Sequence, residues 1–247
     1  MATPTLFGLH FSPWTIRARW ALAHHRLPFR YREHVILLGE PLLRRRARRA
    51  GAKRASVPLY LHGERALGDS WAIMEFADRH GGGSSLRSEE LRPWRDLLEP
   101  ALQETRVRVT RRTLDDREAL EEAAASATPA PLAGLFRPVA ARGARFLADK
   151  WGFDVQGEDR VGPIEDALTA VREALGDGDY VEGTQLSAAD LACATLIQGL
   201  RPVERHVQLA PGTRRVWTDD ALASEHEDLI AWRDRIFDRH FAAPRLG

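Results

Sequence analysis

The segment HGGGSSLRS, residues 80–88, separates two parts of the chain whose hydrophobic patterns have different periods. Its three consecutive glycines and three serines offer little side-chain surface to a core, which is typical of a connection between structural units. Before it, strand-length apolar runs alternate with helix-length segments, and after it nearly every apolar run has the helical period. We therefore expect an α/β domain over residues 1–80, a linker over 81–88 and an all-helical domain over 89–247.

The N-terminal part has the predicted order β-α-β-α-β-β-α. The strands are expected at PTLFGLH, RYREHVI and VPLYLH and beyond the turn GERA, because these runs are short and apolar between turn residues. Helices are predicted over 14–25 and 69–79, and the basic stretch 41–50 is helical or irregular. An 80-residue unit with this order fits a compact α/β domain.

The C-terminal part shows helical stripes of apolar residues. The first stripe comprises Leu91, Trp94, Leu98, Leu102 and Val109, and a second comprises Ile164, Leu168, Val171 and Leu175 before a C-capping Gly176. The run SAADLACATLIQGL is apolar all round, which predicts a helix enclosed by others. Ser187 and Asp190 have the spacing of a capping box at its start. The last helix is predicted over about 224–239.

Composition excludes several classes of protein. No run approaches the roughly 20 apolar residues of a membrane helix, and the first residues lack the charged and apolar regions of a signal peptide. The single cysteine, Cys193, permits no internal disulfide, and the histidines show no metal-binding spacing. We expect a cytoplasmic protein with no metal and no membrane contact.

Charge is divided unevenly along the chain. Residues 1–80 hold 14 Lys and Arg against 6 Asp and Glu, a net charge of +8, whereas the remainder holds 22 against 29, a net charge of −7. The N-terminal part is therefore expected to favour an anionic ligand.

Ser12, followed by Pro13, stands where the first strand passes into the first helix. A helix N-terminus presents free N–H groups and a positive dipole, and thioredoxin-like folds place a reactive cysteine at this corner. Here Ser12 and Thr15 occupy the two thiol positions. A serine hydroxyl is a weak nucleophile without a base, but it can donate a hydrogen bond to a thiolate of a ligand. The alternative is that Ser12 only caps the helix.

Four stretches together resemble cytosolic glutathione S-transferases. SPWTIRARWAL, SVPLYL and LGDSWAIMEFAD occur in the order and spacing of their N-terminal domain, and GDYVEGTQLSAADLACATL resembles their C-terminal helical motif. The resemblance extends from about residue 5 to 240 and is weakest over 120–160. It implies a thioredoxin-like domain followed by a helical bundle, glutathione as co-substrate and a homodimer.

The resemblance also implies roles for individual residues. The pattern of Ser12, Pro13 and Arg17 is similar to the serine-type classes, in which the hydroxyl hydrogen-bonds the sulfur of glutathione. Pro58 matches a cis proline, and the backbone of Val57 is then expected to bind the cysteinyl part of the tripeptide.

Asp69 and Ser70 match the residues that bind the γ-glutamyl end of glutathione. A carboxylate pairs with the α-ammonium, and a hydroxyl at a helix start binds the α-carboxylate. Asp69 departs from the glutamate that the family has more often. From the residues alone, both side chains equally fit helix capping.

The basic run RRRARRAGAKR, residues 44–54, has three interpretations: a solvated helix, a nucleic-acid contact, or a contact with the glycyl carboxylate of glutathione. Seven of its eleven residues are Lys or Arg, but the absence of interleaved aromatics disfavours nucleic acid. In the family a basic side chain from this segment meets the carboxylate, and Arg54 lies nearest to the Val57–Pro58 motif.

The predicted function is conjugation of glutathione to a hydrophobic, electrophilic small molecule. An apolar pocket between the two parts is expected to include Phe11 and Trp14, and the helix over 90–112 supplies further candidates in Arg106, Arg108 and Arg112. A glutathione-dependent peroxidase or isomerase on the same site and a non-catalytic binding module with this fold remain alternatives. Asp190 is structural in the family, and Cys193 is expected to be buried far from Ser12.

Overall fold

The computed structural model describes residues 3–36, 39–49, 55–88, 91–125, 142 and 160–241. None of the helices in these ranges is long and apolar enough to cross a membrane.

A four-stranded mixed sheet forms the N-terminal part. Its strands are β1 (Thr5–Gly8), β2 (Arg30–Glu33), β3 (Leu59–His62) and β4 (Arg65–Leu67), in the order β2-β1-β3-β4. β1 pairs in parallel with β2 and antiparallel with β3, which pairs antiparallel with β4. This is the thioredoxin-like arrangement that the resemblance implies.

The strands are shorter than their apolar runs. In RYREHVI only the residues to Glu33 pair regularly, although the His34 amide still donates to the Gly8 carbonyl at 2.8 Å. The turn between β3 and β4 contains Gly63 at φ +60°, a left-handed conformation that glycine adopts without a steric penalty.

The sheet topology brings three loops to one edge. β4 runs parallel to β1, because each is antiparallel to β3. The carboxyl ends of β1 and β4 and the amino end of β3 therefore share an edge. Ser12 follows β1, Asp69 follows β4, and the Val57–Pro58 bond precedes β3, so all three lie at this edge.

Three helices accompany the sheet: α1 (Pro13–His24), α2 (Glu40–Arg49) and α3 (Ser70–His80). The described C-terminal part is helical, with α4 (Arg92–Asp115), α5 (Arg117–Ala125), α6 (Gly162–Leu175), α7 (Ala188–Ile197), α8 (Pro211–Trp217), α9 (Asp220–Glu225) and α10 (Glu227–His240). Every residue of α7 is buried, as its all-round apolar character predicts.

The two parts of the chain share a hydrophobic core. α1 packs against both α3 and α7. Trp20 of α1 lies 4.8 Å from Phe237 and 5.2 Å from Phe241, ring centroid to ring centroid. Because buried residues of both parts belong to one cluster, the division into domains 1–80 and 89–247 stays a prediction.

Local capping signals are confirmed. Ser187 and Asp190 form a reciprocal capping box at the start of α7. Gly176 ends α6 at φ +48°, and its backbone N–H donates to the Arg172 carbonyl.

The single helix predicted over 224–239 is wrong at its start. α9 ends at Glu225 and α10 begins at Glu227, with His226 between them at φ −128° and ψ 35°. The Asp219 carboxylate accepts the Leu222 amide and so starts the separate short helix α9.

Candidate functional site

Ser12 occupies the N-cap position of α1, but its side chain makes no capping hydrogen bond there. The Leu9–Ser12 turn is closed instead by the Ser12 amide, which donates to the Leu9 carbonyl at 2.9 Å. Pro13 follows at the first helical position, where its missing N–H is tolerated. The Ser12 side chain is therefore placed beside the positive end of α1, with its hydroxyl not engaged in capping the helix.

Thr15, at the second thiol position, has a structural role. Its Oγ1 accepts the Leu9 amide at 3.3 Å, and its side chain is fully buried against Gly8. This contact holds the loop after β1 on the first turn of α1.

The Val57–Pro58 peptide bond is cis, which confirms the expectation from the resemblance. Pro58 is buried directly before β3, and Leu59 is in register with Phe7 of β1. Val57 thus lies next to the end of β1, on the same sheet edge as Ser12.

The start of α3 presents a carboxylate and a hydroxyl. The Asp69 carboxylate accepts the Trp71 amide at 3.1 Å as the N-cap, and its other oxygen accepts Arg95 Nη2 of α4 at 2.9 Å. Ser70 is 1% exposed, and its Oγ has no hydrogen-bond partner in the described part of the chain. A buried hydroxyl without a partner is uncommon, so Ser70 is a candidate for binding a ligand at the helix start.

Glu99 of α4 accepts hydrogen bonds from three side chains of the N-terminal part. Its Oε1 accepts Trp71 Nε1 at 2.7 Å and Arg17 Nη1 at 3.3 Å, and its Oε2 accepts Trp14 Nε1 at 3.0 Å. Glu99 thereby joins α1, α3 and α4 close to the residues that start α1 and α3. No local sequence signal points to Glu99, because its partners lie 28, 82 and 85 positions away.

Arg17 is completely buried between the two parts of the chain. Its guanidinium carbon lies 4.2 Å from the centroid of the Trp71 ring, and its Nε donates to Thr195 Oγ1 of α7 at 3.4 Å. Burial lowers the pKa of Arg17, and the Glu99 carboxylate opposes this shift. Arg17 of the serine-type motif therefore connects the helices behind Ser12.

Phe11 and Trp14 lie on the side of the site that faces the C-terminal helices. The Phe11 ring packs edge-on against Trp217 of α8 at 5.6 Å, and the Arg106 guanidinium lies 4.8 Å above the Trp14 ring. Arg108 and Arg112 instead donate to the Asp219 carboxylate, which assigns both to a helix-to-helix contact.

Arg54 lies outside the described residues, as does the rest of the basic run beyond Arg49. Within α2, Arg44, Arg45 and Arg48 are exposed, whereas the Arg46 guanidinium lies 4.4 Å above the Phe7 ring.

Cys193 is fully buried in α7, and burial raises the pKa of its thiol well above the usual value. The thiol is therefore protonated at neutral pH and shielded from solvent, and the predicted burial of Cys193 is confirmed. No cluster of three or more His, Cys, Asp or Glu that could hold a metal occurs among the described residues.

Comparisons with known proteins identify the family of the N-terminal part. Residues 6–85 match the family described as glutathione S-transferase, N-terminal domain. No curated protein sequence matches the chain significantly.

Solved structures share the fold over nearly the whole chain. A glutathione S-transferase from Methylobacterium radiotolerans, in complex with glutathione sulfonate, has a TM-score of 0.59 and 18% identity and covers 96% of this chain and 92% of its own. A rice glutathione S-transferase in complex with glutathione has a TM-score of 0.57 and 19% identity. The match covers 98% of this chain and 93% of the rice chain. A glutathione transferase from Phanerochaete chrysosporium has a TM-score of 0.57 and 15% identity and covers 99% of each.

At these identities the structures establish the fold, and the sequence match over residues 6–85 supplies the family. By sequence, residues 6–85 are a glutathione S-transferase N-terminal domain, and the chain as a whole has the fold of glutathione S-transferases.

Proposed function

We propose that this protein is a glutathione transferase that joins the thiolate of glutathione to a hydrophobic, electrophilic small molecule. The observation that carries the proposal is Ser12: its side chain stands at the start of α1 and makes no capping hydrogen bond. A hydroxyl in this position can donate to the sulfur of a bound thiol, while the helix dipole favours the anion.

A hydrogen bond from the Ser12 hydroxyl is strong enough to make the thiolate of glutathione abundant at neutral pH. A free thiol has a pKa of about 8.5, and one unit corresponds to about 1.4 kcal/mol. A hydrogen bond to a charged group contributes about 1.5–3 kcal/mol, so the Ser12 hydroxyl lowers the thiol pKa by about one to two units. The thiolate is then abundant at neutral pH and attacks the electrophile directly, while the Ser12 proton stays on its oxygen.

The remaining residues of the site hold the tripeptide. The backbone of Val57, next to the cis Pro58, pairs with the cysteinyl unit. Ser70, whose hydroxyl has no partner among the described residues, donates it to the γ-glutamyl carboxylate at the start of α3. Asp69 has a carboxylate with more acceptor positions than its two observed bonds occupy, and it accepts the α-ammonium. Arg54 is proposed to bind the glycyl carboxylate.

The electrophile is proposed to bind beside Phe11 and Trp14. The partly exposed Phe11 ring presents an apolar surface beside Ser12, and the buried Val109, Val216 and Trp217 support this ring from α4 and α8. An apolar acceptor placed on this surface would lie next to the sulfur that Ser12 stabilises.

The proposal is tested by calorimetric titration of glutathione into wild type and Ser12→Ala, with conjugation of an aryl halide measured in parallel. We expect similar affinity, but a rate about 10- to 100-fold lower in the variant, from the loss of one charge-assisted hydrogen bond. Ser224→Ala, an exposed serine of α9, is the matched control. Absence of glutathione binding by wild type, or a full rate in Ser12→Ala, contradicts the proposal.

The same preparation separates the alternatives. Turnover of a hydroperoxide or an isomerisation substrate without aryl-halide conjugation would favour the peroxidase or isomerase, and binding without any turnover would favour the non-catalytic module. We further propose a cytoplasmic homodimer, as the family resemblance implies, and light scattering of the purified protein measures its mass.

A further inference from the structure

His10 links the loop before Ser12 to two distant parts of the chain. Its Nδ1 lies 3.2 Å from Glu33 Oε1 at the end of β2, and its backbone N–H donates to the same oxygen at 3.1 Å. Its Nε2 lies 3.1 Å from the carbonyl oxygen of Gln208, in the segment before α8. The ring therefore bridges the sheet edge and the C-terminal helices.

Both ring nitrogens face oxygens that can only accept. A neutral imidazole carries one N–H, so it satisfies one of these oxygens and directs a lone pair at the other. The imidazolium carries two N–H groups and satisfies both. The geometry thus selects the cationic form of His10.

The charged and titratable groups around His10 come from two elements. Glu33 and Tyr31 lie on β2, where the Tyr31 hydroxyl donates to the second Glu33 oxygen at 2.6 Å. Arg19 of α1 lies above the Tyr31 ring at 5.0 Å. The hydrogen bond to Glu33 raises the pKa of His10, burial and the Arg19 charge oppose the rise, and the net pKa lies above the usual value.

The loop held by His10 carries the proposed catalytic residue. His10 lies between Leu9 and Phe11, and Ser12 comes next in the chain. The Ser12 amide closes the turn by donating to the Leu9 carbonyl. The Phe11 ring packs between the His10 ring, at 5.1 Å, and Trp217. A change at His10 therefore reaches both the proposed thiolate donor and the proposed electrophile surface.

We propose that His10 is a positioning residue whose cationic ring holds the loop over residues 9–12 in place by bridging Glu33 and the Gln208 carbonyl. Its consequence for glutathione binding rests on the function proposed above. Below its pKa both bonds form; as pH rises through that pKa the ring keeps one of them, the loop loosens, and ligand affinity falls.

The first test is an NMR titration of the full-length protein, which requires no ligand. We expect the His10 ring to titrate above 6.5, the ordinary histidine value, and its pKa to fall in Glu33→Gln. The Ser12 amide resonance is expected to follow the same titration curve. Glu64→Gln, which removes an exposed carboxylate in the turn between β3 and β4, is the matched control and should leave the curve unchanged.

The second test measures the affinity for S-methylglutathione between pH 5.5 and 8.5, because this ligand has no titrating thiol. Wild type should lose affinity by about three- to tenfold across the His10 pKa, as expected for one lost hydrogen bond. The midpoint should move to lower pH in Glu33→Gln, and His10→Gln should lack this pH-dependent step.

The two tests separate the inference from the proposed function. Any one of three results overturns the inference. These are a His10 pKa at or below 6.5, a Ser12 amide resonance that does not change with the His10 titration, and the same pH dependence of affinity in wild type and His10→Gln. If wild type binds no S-methylglutathione at any pH, the proposed function fails, and the NMR titration alone decides whether His10 holds the loop.

Discussion

Glu99 offers the most direct test of how α4 is joined to the N-terminal part. In Glu99→Gln the amide oxygen can still accept Trp71 Nε1 and Arg17 Nη1, but the amide nitrogen then faces Trp14 Nε1, and two donors oppose each other. A donor left without an acceptor costs about 1–3 kcal/mol. The buried Arg17 also loses its charged partner, and a neutral acceptor contributes about 1 kcal/mol less than a charged one. We expect the free energy of unfolding to fall by about 2–4 kcal/mol.

The assay is urea unfolding followed by tryptophan fluorescence and circular dichroism, at one protein concentration for all variants. Combining Glu99→Gln with Trp14→Phe removes the opposed donor, so the double variant should recover about 1–2 kcal/mol relative to the sum of the single variants. Asp96→Asn is the control on the same helix: its partner Arg92 lies at 3.8 Å, and both side chains are largely exposed. Its effect should stay below about 0.5 kcal/mol.

A Glu99→Gln variant as stable as Asp96→Asn would refute this reasoning. So would strictly additive effects of Glu99→Gln and Trp14→Phe, because the two side chains would then not interact in the folded protein.

Two further perturbations test the packing of the N-terminal part. Gly8→Ala would place its Cβ 2.3 Å from Cγ2 of Thr15, so urea unfolding should show a free energy of unfolding that is lower by about 1–3 kcal/mol. The control Gly82→Ala meets nothing within 4 Å and should lose much less stability. Equal losses in the two variants would contradict the contact between Gly8 and Thr15. Burial raises the pKa of Asp78, but hydrogen bonds from Ser88 and Leu86 outweigh it and hold the pKa below the usual value. The stability that Asp78 contributes is then fully present above about pH 4 and is lost as pH falls, so the difference between wild type and Asp78→Asn should shrink below pH 4; a constant difference would refute this assignment.

Much of the local structure follows from residues close together in sequence. The Ser12–Pro13 pair predicts the start of α1, the spacing of Ser187 and Asp190 predicts the capping box of α7, and Gly176 predicts the end of α6; the structure agrees at all three. These signals act within a single helical turn, where a side chain meets the backbone groups of its own neighbours.

Element boundaries that depend on packing were harder to predict. RYREHVI reads as one strand, yet β2 ends at Glu33, the residue that contacts His10. The break between α9 and α10 lies inside a run with a continuous helical period. The start of α9 is set by the Asp219 carboxylate, which Arg108 and Arg112 of α4 hold in place, and a hydrophobic period carries no information about such a partner.

The candidate site shows the same distinction. Ser12, Asp69 and Ser70 could be named from the sequence, because each stands at a recognisable helix start, and the resemblance supplied their roles. Which of these side chains caps its helix depends on the geometry: Asp69 caps α3, whereas Ser12 makes no capping bond.

Periodicity, caps and turn residues in this sequence thus account for the order of the elements, the separation into a mixed sheet and a helical part, and the residues at the starts of α1, α3 and α7. The folded chain brings together partners that no short-range signal connects: Glu99 with Arg17, 82 positions apart, and His10 with Gln208, 198 positions apart. Local preferences extend over about one helical turn, whereas these contacts form only when α1, α4 and the segment before α8 pack around one core.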